Sequence, residues 1–193
     1  NAYKLSPRGM NDIVVLEKNY LGSGSTGRCG GGIRQQWTTE ENIRLAQESV
    51  TAYEHLATEL GLQTFFRQGG YLMVTDEEHH LDAMRKAVAL QNRCQVPTEF
   101  LQPEECLKIV PQMDISNIKG ATYCPKDGTA YPFSVVWGYA RACERAGVKV
   151  YIRTEVTEVR TDGDRITGVA TTRGDISSPL LINCAGPWAR SVA

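Results

Sequence analysis

Residues 13–34, IVVLEKNYLGSGSTGRCGGGIR, constrain the fold more than any other stretch of this chain. They open with four apolar residues, Ile13, Val14, Val15 and Leu16, three of them β-branched. A short continuous apolar run of this kind predicts a strand over 13–17, covered on both faces as in a parallel sheet. The run stops at an acid, Glu17. The loop behind it carries six glycines, at 22, 24, 27, 30, 31 and 32, with Ser23, Ser25, Thr26 and Arg28 among them. Glycine has no Cβ to hold a ligand off, so such a loop can bring backbone N–H groups against one. An acid closing a strand beside a glycine-rich loop points to a ribose and phosphates. The carboxylate would accept hydrogen bonds from ribose hydroxyls.

A dinucleotide fingerprint, G-x-G-x-x-G, is expected about 20 residues before such an acid. Counting back from Glu17 leaves the chain. The residues before it, NAYKLSPRGMND, read as the end of a helix and a turn. The chain is therefore expected to be a fragment that lacks its first strand and phosphate turn.

At 193 residues and 41% hydrophobic, the chain can bury a core of one domain or one and a half. Formal net charge is −1 with Lys and Arg dispersed, which argues against nucleic acid and anionic membrane as partners. No apolar run approaches the roughly 20 residues of a membrane span. The six cysteines, at 29, 94, 106, 124, 143 and 184, form no C-x-x-C pair, so neither a zinc site nor a dithiol motif is indicated. They read as reduced thiols of a cytoplasmic protein.

Ser6-Pro7 should end the first helix, since proline lacks the N–H and clashes with the preceding turn. Residues 38–41 have the T-x-x-E form of a capping box. Ile43, Ala46, Val50, Tyr53, Ala57 and Leu60 then recur at three/four spacing up to Gly61, which predicts a helix over 39–60. Residues 65–74, FFRQGGYLMV, read as a strand with a Gly-Gly irregularity. Thr75 and Glu78 suggest a second capping box before a helix carrying Leu81, Met84 and Val88. The adjacent His79 and His80 point about 100° apart on a helix and read as a solvated pair. Pro103 should start a short helix. Residues 118–124 should be a strand, 127–132 a turn and 133–146 a helix. Strands are expected at 148–152, 156–161 and 165–172, and a last buried strand in LLINCAG. Helix–strand alternation at both ends of the chain argues α/β with a parallel sheet.

The segment EKNYLGSGSTGRCGGGIR resembles the flavin-facing part of the D-amino-acid-oxidase-like FAD-dependent oxidoreductases, nearest the sarcosine oxidase β-subunit, glycine oxidase and proline dehydrogenase group. The similarity spans nearly the whole chain and strengthens again at Asn183-Cys184-Ala185-Gly186-Pro187-Trp188-Ala189, which is similar to the family's A-G-x-W turn. It implies an FAD/NAD(P)-binding, Rossmann-like α/β domain, in two segments at 1–65 and 125–193, with an incomplete α+β substrate domain inserted at 66–124. It implies that Glu17, with Lys18 beside it, meets the adenosine ribose of FAD, and that the backbone of Val156 meets the adenine edge. Gly24, Ser25, Thr26 and Arg28 would follow the pyrophosphate and ribityl chain. Gly30, Gly31, Gly32 and Ile33 would pass near the isoalloxazine ring, and Cys29, inside the loop, is expected among the cofactor-binding residues. Cys184, Ala185, Gly186 and Trp188 would pack under the pyrophosphate. Arg34 would bind the carboxylate of a small amino acid substrate such as sarcosine, glycine or proline, whose C–N bond is oxidised by hydride transfer to flavin N5. No metal is expected. Two other functions stay open. One is a silent flavoprotein subunit working with a hetero-oligomeric partner. The other is a different use of the fold, such as a glycerol-3-phosphate dehydrogenase; a tRNA-modifying flavoenzyme is disfavoured because the chain is not basic.

Overall fold

A computed structural model describes residues 1–192. In chain order, helix α1 (Ala2–Leu5) passes into a 3-10 turn at Ser6–Arg8, and strand β1 (Val14–Leu16) follows. The glycine loop holds a 3-10 turn at Thr26–Arg28 and leads into β2 (Gly32–Ile33) and the long helix α2 (Glu40–Leu60). Then come β3 (Tyr71–Thr75), α3 (Leu81–Arg93), β4 (Glu99–Leu101), α4 (Pro103–Cys106), β5 (Gly120–Cys124) and β6 (Gly128–Thr129). The chain continues through α5 (Pro132–Arg145), β7 (Lys149–Tyr151), β8 (Val156–Asp162), β9 (Arg165–Thr171) and β10 (Ile176–Ser177) to a 3-10 turn at Gly186–Ser191. Two compact units result: residues 1–29 with those from 132 onward, and residues 30–131.

In the first unit β1 and β7 pair in parallel, with Val14 opposite Lys149 and Leu16 opposite Tyr151. Their carboxyl ends therefore lie at the same edge. The pairing runs on past the strands: Glu17 N donates to Tyr151 O and Thr154 N to Glu17 O, both at 2.9 Å. Helix α5 covers the pair, burying Ala142 and Cys143, and Tyr3 of α1 meets Tyr139 of α5 edge-on at 5.8 Å. Strands β8, β9 and β10 form a separate antiparallel sheet. In the second unit β3, β5 and β4 form an antiparallel sheet, and β2 pairs with β6. Ile43 of α2, Cys94, Val96 and Cys124 make one apolar cluster, and Leu101, Cys106 and Ala121 another. Each large side chain fully buried there, such as Ile43 or Val96, contributes about 1.5–3 kcal/mol. Among the described residues no helix is long and apolar enough to cross a membrane.

The α/β architecture follows the sequence expectation, and so does α2, whose six predicted stripe residues are all buried or half-buried. Other elements differ. Strand β1 is half-buried rather than covered on both faces, because β7 is its one partner among the described strands. The box at 38–41 does not form: α2 takes Thr39 as its N-cap, which puts Asn42, not Glu41, at the position that would close it. Nor does the box at 75–78 form, because the Thr75 hydroxyl accepts from Glu77 N at the end of β3. A reciprocal box forms instead at Gln102 and Glu105, at the start of α4. The strand predicted over 65–74 begins only at Tyr71, because Phe65 and Gly70 sit at positive φ, 53° and 82°, which breaks a strand. Part of the 127–132 turn is strand β6. LLINCAG is not a strand: no described strand lies along it, and Leu180 and Ile182 are exposed.

The pairing of β2 with β6 needs a bare Cα at Gly128, where a Cβ would run into the backbone carbonyl of Arg67. Gly69, by contrast, faces open space. Gly128→Ala should therefore lower the free energy of unfolding by about 1–3 kcal/mol while Gly69→Ala stays within about 0.5 kcal/mol. Urea denaturation of the two variants checks the contrast, and equal midpoints would contradict it.

Candidate cofactor and substrate sites

In the first unit the candidate residues gather at the carboxyl end of β1 and β7, the usual edge for ligands in α/β sheets. The Glu17 carboxylate is half-buried, and its Oε1 accepts from Asn19 N at 2.7 Å and from Ser23 Oγ at 3.2 Å. The loop thus folds back onto the acid and fixes its orientation. Asn19 O in turn accepts from Arg153 N at 2.9 Å, which ties the loop to the end of β7. Lys18 Nζ pairs with Glu155 Oε1 at 2.6 Å, an exposed ion pair of small energetic weight. Val156 begins β8 opposite Thr171, next to a register irregularity between Val156 and Glu158.

The loop glycines divide into two kinds. A Cβ on Gly27 would strike the Gly22 carbonyl and the Phe133 ring, and one on Gly22, at φ 87°, would stand 3.0 Å from that ring. These two close the loop on itself. A Cβ on Gly24 would make ordinary contact with Trp188, 3.4 Å away, so the loop and the turn after residue 183 come together here. Ser25, Thr26 and Arg28 are exposed, and so is Cys29, whose Sγ bonds to Thr26 O at 3.0 Å. In the later turn the Asn183 side chain accepts from Ala185 N and donates to Ala189 O at 2.8 Å. It staples the backbone of Cys184, Ala185 and Gly186, with Gly186 at φ 56° and open space where a Cβ would stand. Cys184 Sγ accepts from Asn1 Nδ2. Asn183 was quoted in the sequence motif without a role; its position two residues before a backbone N–H is the signal for such a side-chain turn.

In the second unit Gly30, Gly32, Ile33 and Arg34 line an open cleft of about 560 Å3 with Trp37, Tyr71, Thr129 and one face of α2: Asn42, Leu45, Ala46 and Ser49. Gly30 has open space beside it. Gly31 is buried at φ 75°, and its carbonyl accepts from Ala130 N. Gly32 presses on the Tyr71 ring, which a Cβ would meet at 2.9 Å. The Arg34 guanidinium lies over the Trp37 indole, 4.6 Å from its centroid, and Nη1 approaches Met73 Sδ at 3.5 Å.

Below Arg34 the chain is anchored by Asp127, which is fully buried. Its Oδ1 accepts from Gln35 N at 2.9 Å and Gln35 Nε2 at 3.1 Å, and its Oδ2 accepts from Gln36 Nε2 at 3.1 Å. Gln36 Nε2 also donates to Tyr71 O, and Gln36 Oε1 accepts from Thr122 Oγ1 at 2.6 Å. Gln35-Gln36 read in the sequence only as polar residues, and Asp127 only as a turn residue. Their partnership spans 91 and 92 positions and leaves no local signal. Trp37 and Tyr71 were likewise missed as cleft residues.

A family model described as "DAO: FAD dependent oxidoreductase" matches residues 1–193. The chain belongs to this family. Among DAO-family relatives, "Sarcosine oxidase subunit beta" of Rhodobacter capsulatus is 36% identical over 183 residues, covering 92% of this chain and 44% of the relative. "Pyruvate dehydrogenase phosphatase regulatory subunit, mitochondrial" of Mus musculus is 31% identical, covering 97% of this chain and 21% of that one. Among solved structures, L-proline dehydrogenase from P. horikoshii superposes with a TM-score of 0.90 at 36% identity, over 99% of this chain and 50% of that one. This chain thus spans half or less of the length of each. The similarity supports the Rossmann-like, FAD-binding fold class.

The residues present fit a flavin dinucleotide. In the first unit Glu17 presents an oriented acceptor at the end of a parallel strand pair, and Gly186 has open space where a Cβ would stand, so its backbone is approachable. Among the described residues no group of three or more His, Cys, Asp or Glu is placed to hold a metal ion. His79 and His80 are exposed, with ring centroids 4.1 Å apart and planes tilted by 53°.

All six cysteines are free, with Cys29 and Cys184 exposed and the other four buried. Burial, helped by the charge of Asp127, pushes the Cys124 thiol up to about 11. Burial also raises Cys106 and Cys143. A thiol with its pKa near 11 is ionised to roughly one part in a thousand at pH 8. Iodoacetamide at pH 8 should therefore alkylate Cys29 and Cys184 first and leave Cys124 intact until the protein unfolds. Mass spectrometry of the native protein reads the order, and early loss of the Cys124 thiol would show that the site is open.

Proposed function

We propose that this chain is the cofactor-holding part of an FAD-dependent enzyme that oxidises the C–N bond of a small amino acid such as sarcosine, glycine or proline. The observation that carries the reading is Arg34, fixed in the wall of a cleft beside Gly30 and Gly32 with no ion-pair partner among the described residues. A guanidinium grips a carboxylate through two parallel N–H···O bonds, a geometry lysine cannot reproduce. Arg34 then holds the amino acid by its carboxylate and rejects amines that lack one. The names of the relatives, sarcosine oxidase and L-proline dehydrogenase, support this substrate class.

In this reading Glu17 accepts from the adenosine ribose, with Lys18 at its flank, and the Val156 backbone meets the adenine edge. Gly24, Ser25, Thr26 and Arg28 follow the pyrophosphate and ribityl chain. Gly30, Gly31, Gly32 and Ile33 pass the ring, with Cys29 in the loop before them. The turn of Cys184, Ala185, Gly186 and Trp188 closes under the phosphates. Bound FAD would supply the two-electron acceptor, at N5, for the hydride leaving the substrate α-carbon. The protein's own part is to orient the carboxylate and keep the cleft shaped around the α-carbon.

A second reading has one specific observation in its favour. The mouse relative is named a regulatory subunit, so a chain of this family can serve an assembly rather than turn over substrate. Anaerobic addition of sarcosine, glycine, D-amino acids, L-proline and glycerol 3-phosphate to the whole protein, followed by absorption spectroscopy, separates the readings. Bleaching by an amino acid supports the first, bleaching by glycerol 3-phosphate alone moves the protein to another substrate class, and no bleaching by any supports the regulatory role.

Two substitutions in the whole protein test the residue roles. Glu17→Ala should weaken FAD binding by about 1.5–3 kcal/mol, the scale of charge-assisted hydrogen bonds. Equal flavin retention after dialysis of mutant and wild type would remove Glu17 from the site. Arg34→Ala should cost about 2–4 kcal/mol in kcat/KM with flavin content unchanged, while Arg34→Lys raises KM. Wild-type kcat/KM in Arg34→Ala, or loss of FAD instead, would defeat the carboxylate role.

A further inference from the structure

We infer that Trp37 is a positioning residue, which holds Arg34 in the conformation that receives a carboxylate; this rests on the substrate-binding role of Arg34 proposed above. The two residues lock each other through two links, and a tight turn joins them. The guanidinium lies over the indole, with Cζ 4.6 Å from the ring centroid. The indole N–H donates back to the Arg34 carbonyl at 3.0 Å, so the ring is tied to the arginine's own backbone. Trp37 N donates to Gln35 O at 2.8 Å, which closes the tight turn between them.

The turn is fastened at both ends to groups in the interior. Gln35 and Gln36 bond to the buried Asp127. On the other side the Gln91 amide, 3% exposed, donates to the Trp37 carbonyl at 2.9 Å. Trp37 itself stays 40% exposed on the cleft wall. Its task is to restrict the arginine. A free arginine side chain samples many rotamers, and a ligand must select one of them. A guanidinium held against an indole has spent part of that freedom beforehand. Its weak contact to Met73 Sδ, at 3.5 Å, is easily given up. Its N–H edges then remain for the two oxygens of a carboxylate.

The test uses the whole flavin-loaded protein and two readouts. One is the dissociation constant of propanoate, a carboxylate without the amine, measured by calorimetry. The other is the split of KM and kcat for the best amino acid substrate. Trp37→Leu removes the stack and the N–H. It should weaken propanoate about tenfold and raise KM about tenfold, with kcat within about threefold and flavin content unchanged. Trp37→Phe keeps a ring under the guanidinium and should recover most of that loss. It also carries the test if the leucine variant fails to fold, because a full loss in the phenylalanine variant overturns the stacking role. On an Arg34→Ala background Trp37→Leu should add nothing, since a positioning residue has nothing left to position. An additive loss on that background overturns the inference and makes Trp37 a direct substrate contact. If Arg34→Ala weakens propanoate and Trp37→Leu does not, the inference fails and the proposed function stands. If Arg34→Ala itself leaves propanoate binding unchanged, the carboxylate reading fails with it.

Discussion

The second unit depends on one buried carboxylate. Removing Asp127 from water costs several kcal/mol unless its oxygens are satisfied. Three N–H donors from Gln35 and Gln36 supply that, and the Asp127 backbone carbonyl takes a fourth from Gly70. The same contacts draw three distant pieces of chain together: the segment leaving the glycine run, the approach to β3 and the turn after β5. Pairing of β2 with β6 and the wall of the cleft follow from that convergence.

In the first unit the governing constraint is steric. The loop after Glu17 turns back on itself because Gly22 and Gly27 let backbone and the Phe133 ring approach within distances that no Cβ allows. That closure brings Ser23 to the Glu17 carboxylate and Gly24 to Trp188. A run of glycines here is thus two devices in one stretch: tight self-packing at its beginning, and open backbone at Gly30.

What was legible in the sequence was local. The stripe from Ile43 to Leu60 shows α2 because helical period and burial coincide residue by residue. The turn at residues 162–164 shows the β8–β9 hairpin, and the apolar run at 13–16 and the alternation at 148–152 show strands β1 and β7, though not that they pair. Glu17, the glycine loop and Arg34 stood out because acid, glycine and arginine are unusual in that order. What failed to show depends on distant partners or on exact register. LLINCAG is apolar enough for a strand yet has no described neighbour to pair with. The box at 38–41 missed by one residue. The Asp127 network pairs residues about ninety positions apart, and a buried aspartate in DGTAYP is indistinguishable from an ordinary turn former.

The hydrogen bonds of Gln36 leave its amide no second orientation. Its nitrogen faces two acceptors, Tyr71 O and Asp127, and its oxygen faces one donor, Thr122. Glutamate at this position would set one carboxylate against another, and a change at Thr122 would strand the amide oxygen. The anchor can therefore be altered only by concerted substitution at several positions. The facing rim obeys no such rule: Asn42, Leu45 and Ser49 project from a single helix face, and Leu45 is 68% exposed. Cleft shape can drift along α2 one residue at a time while the arginine stays where it is, so a scaffold of this design separates what is free to diversify from what is not.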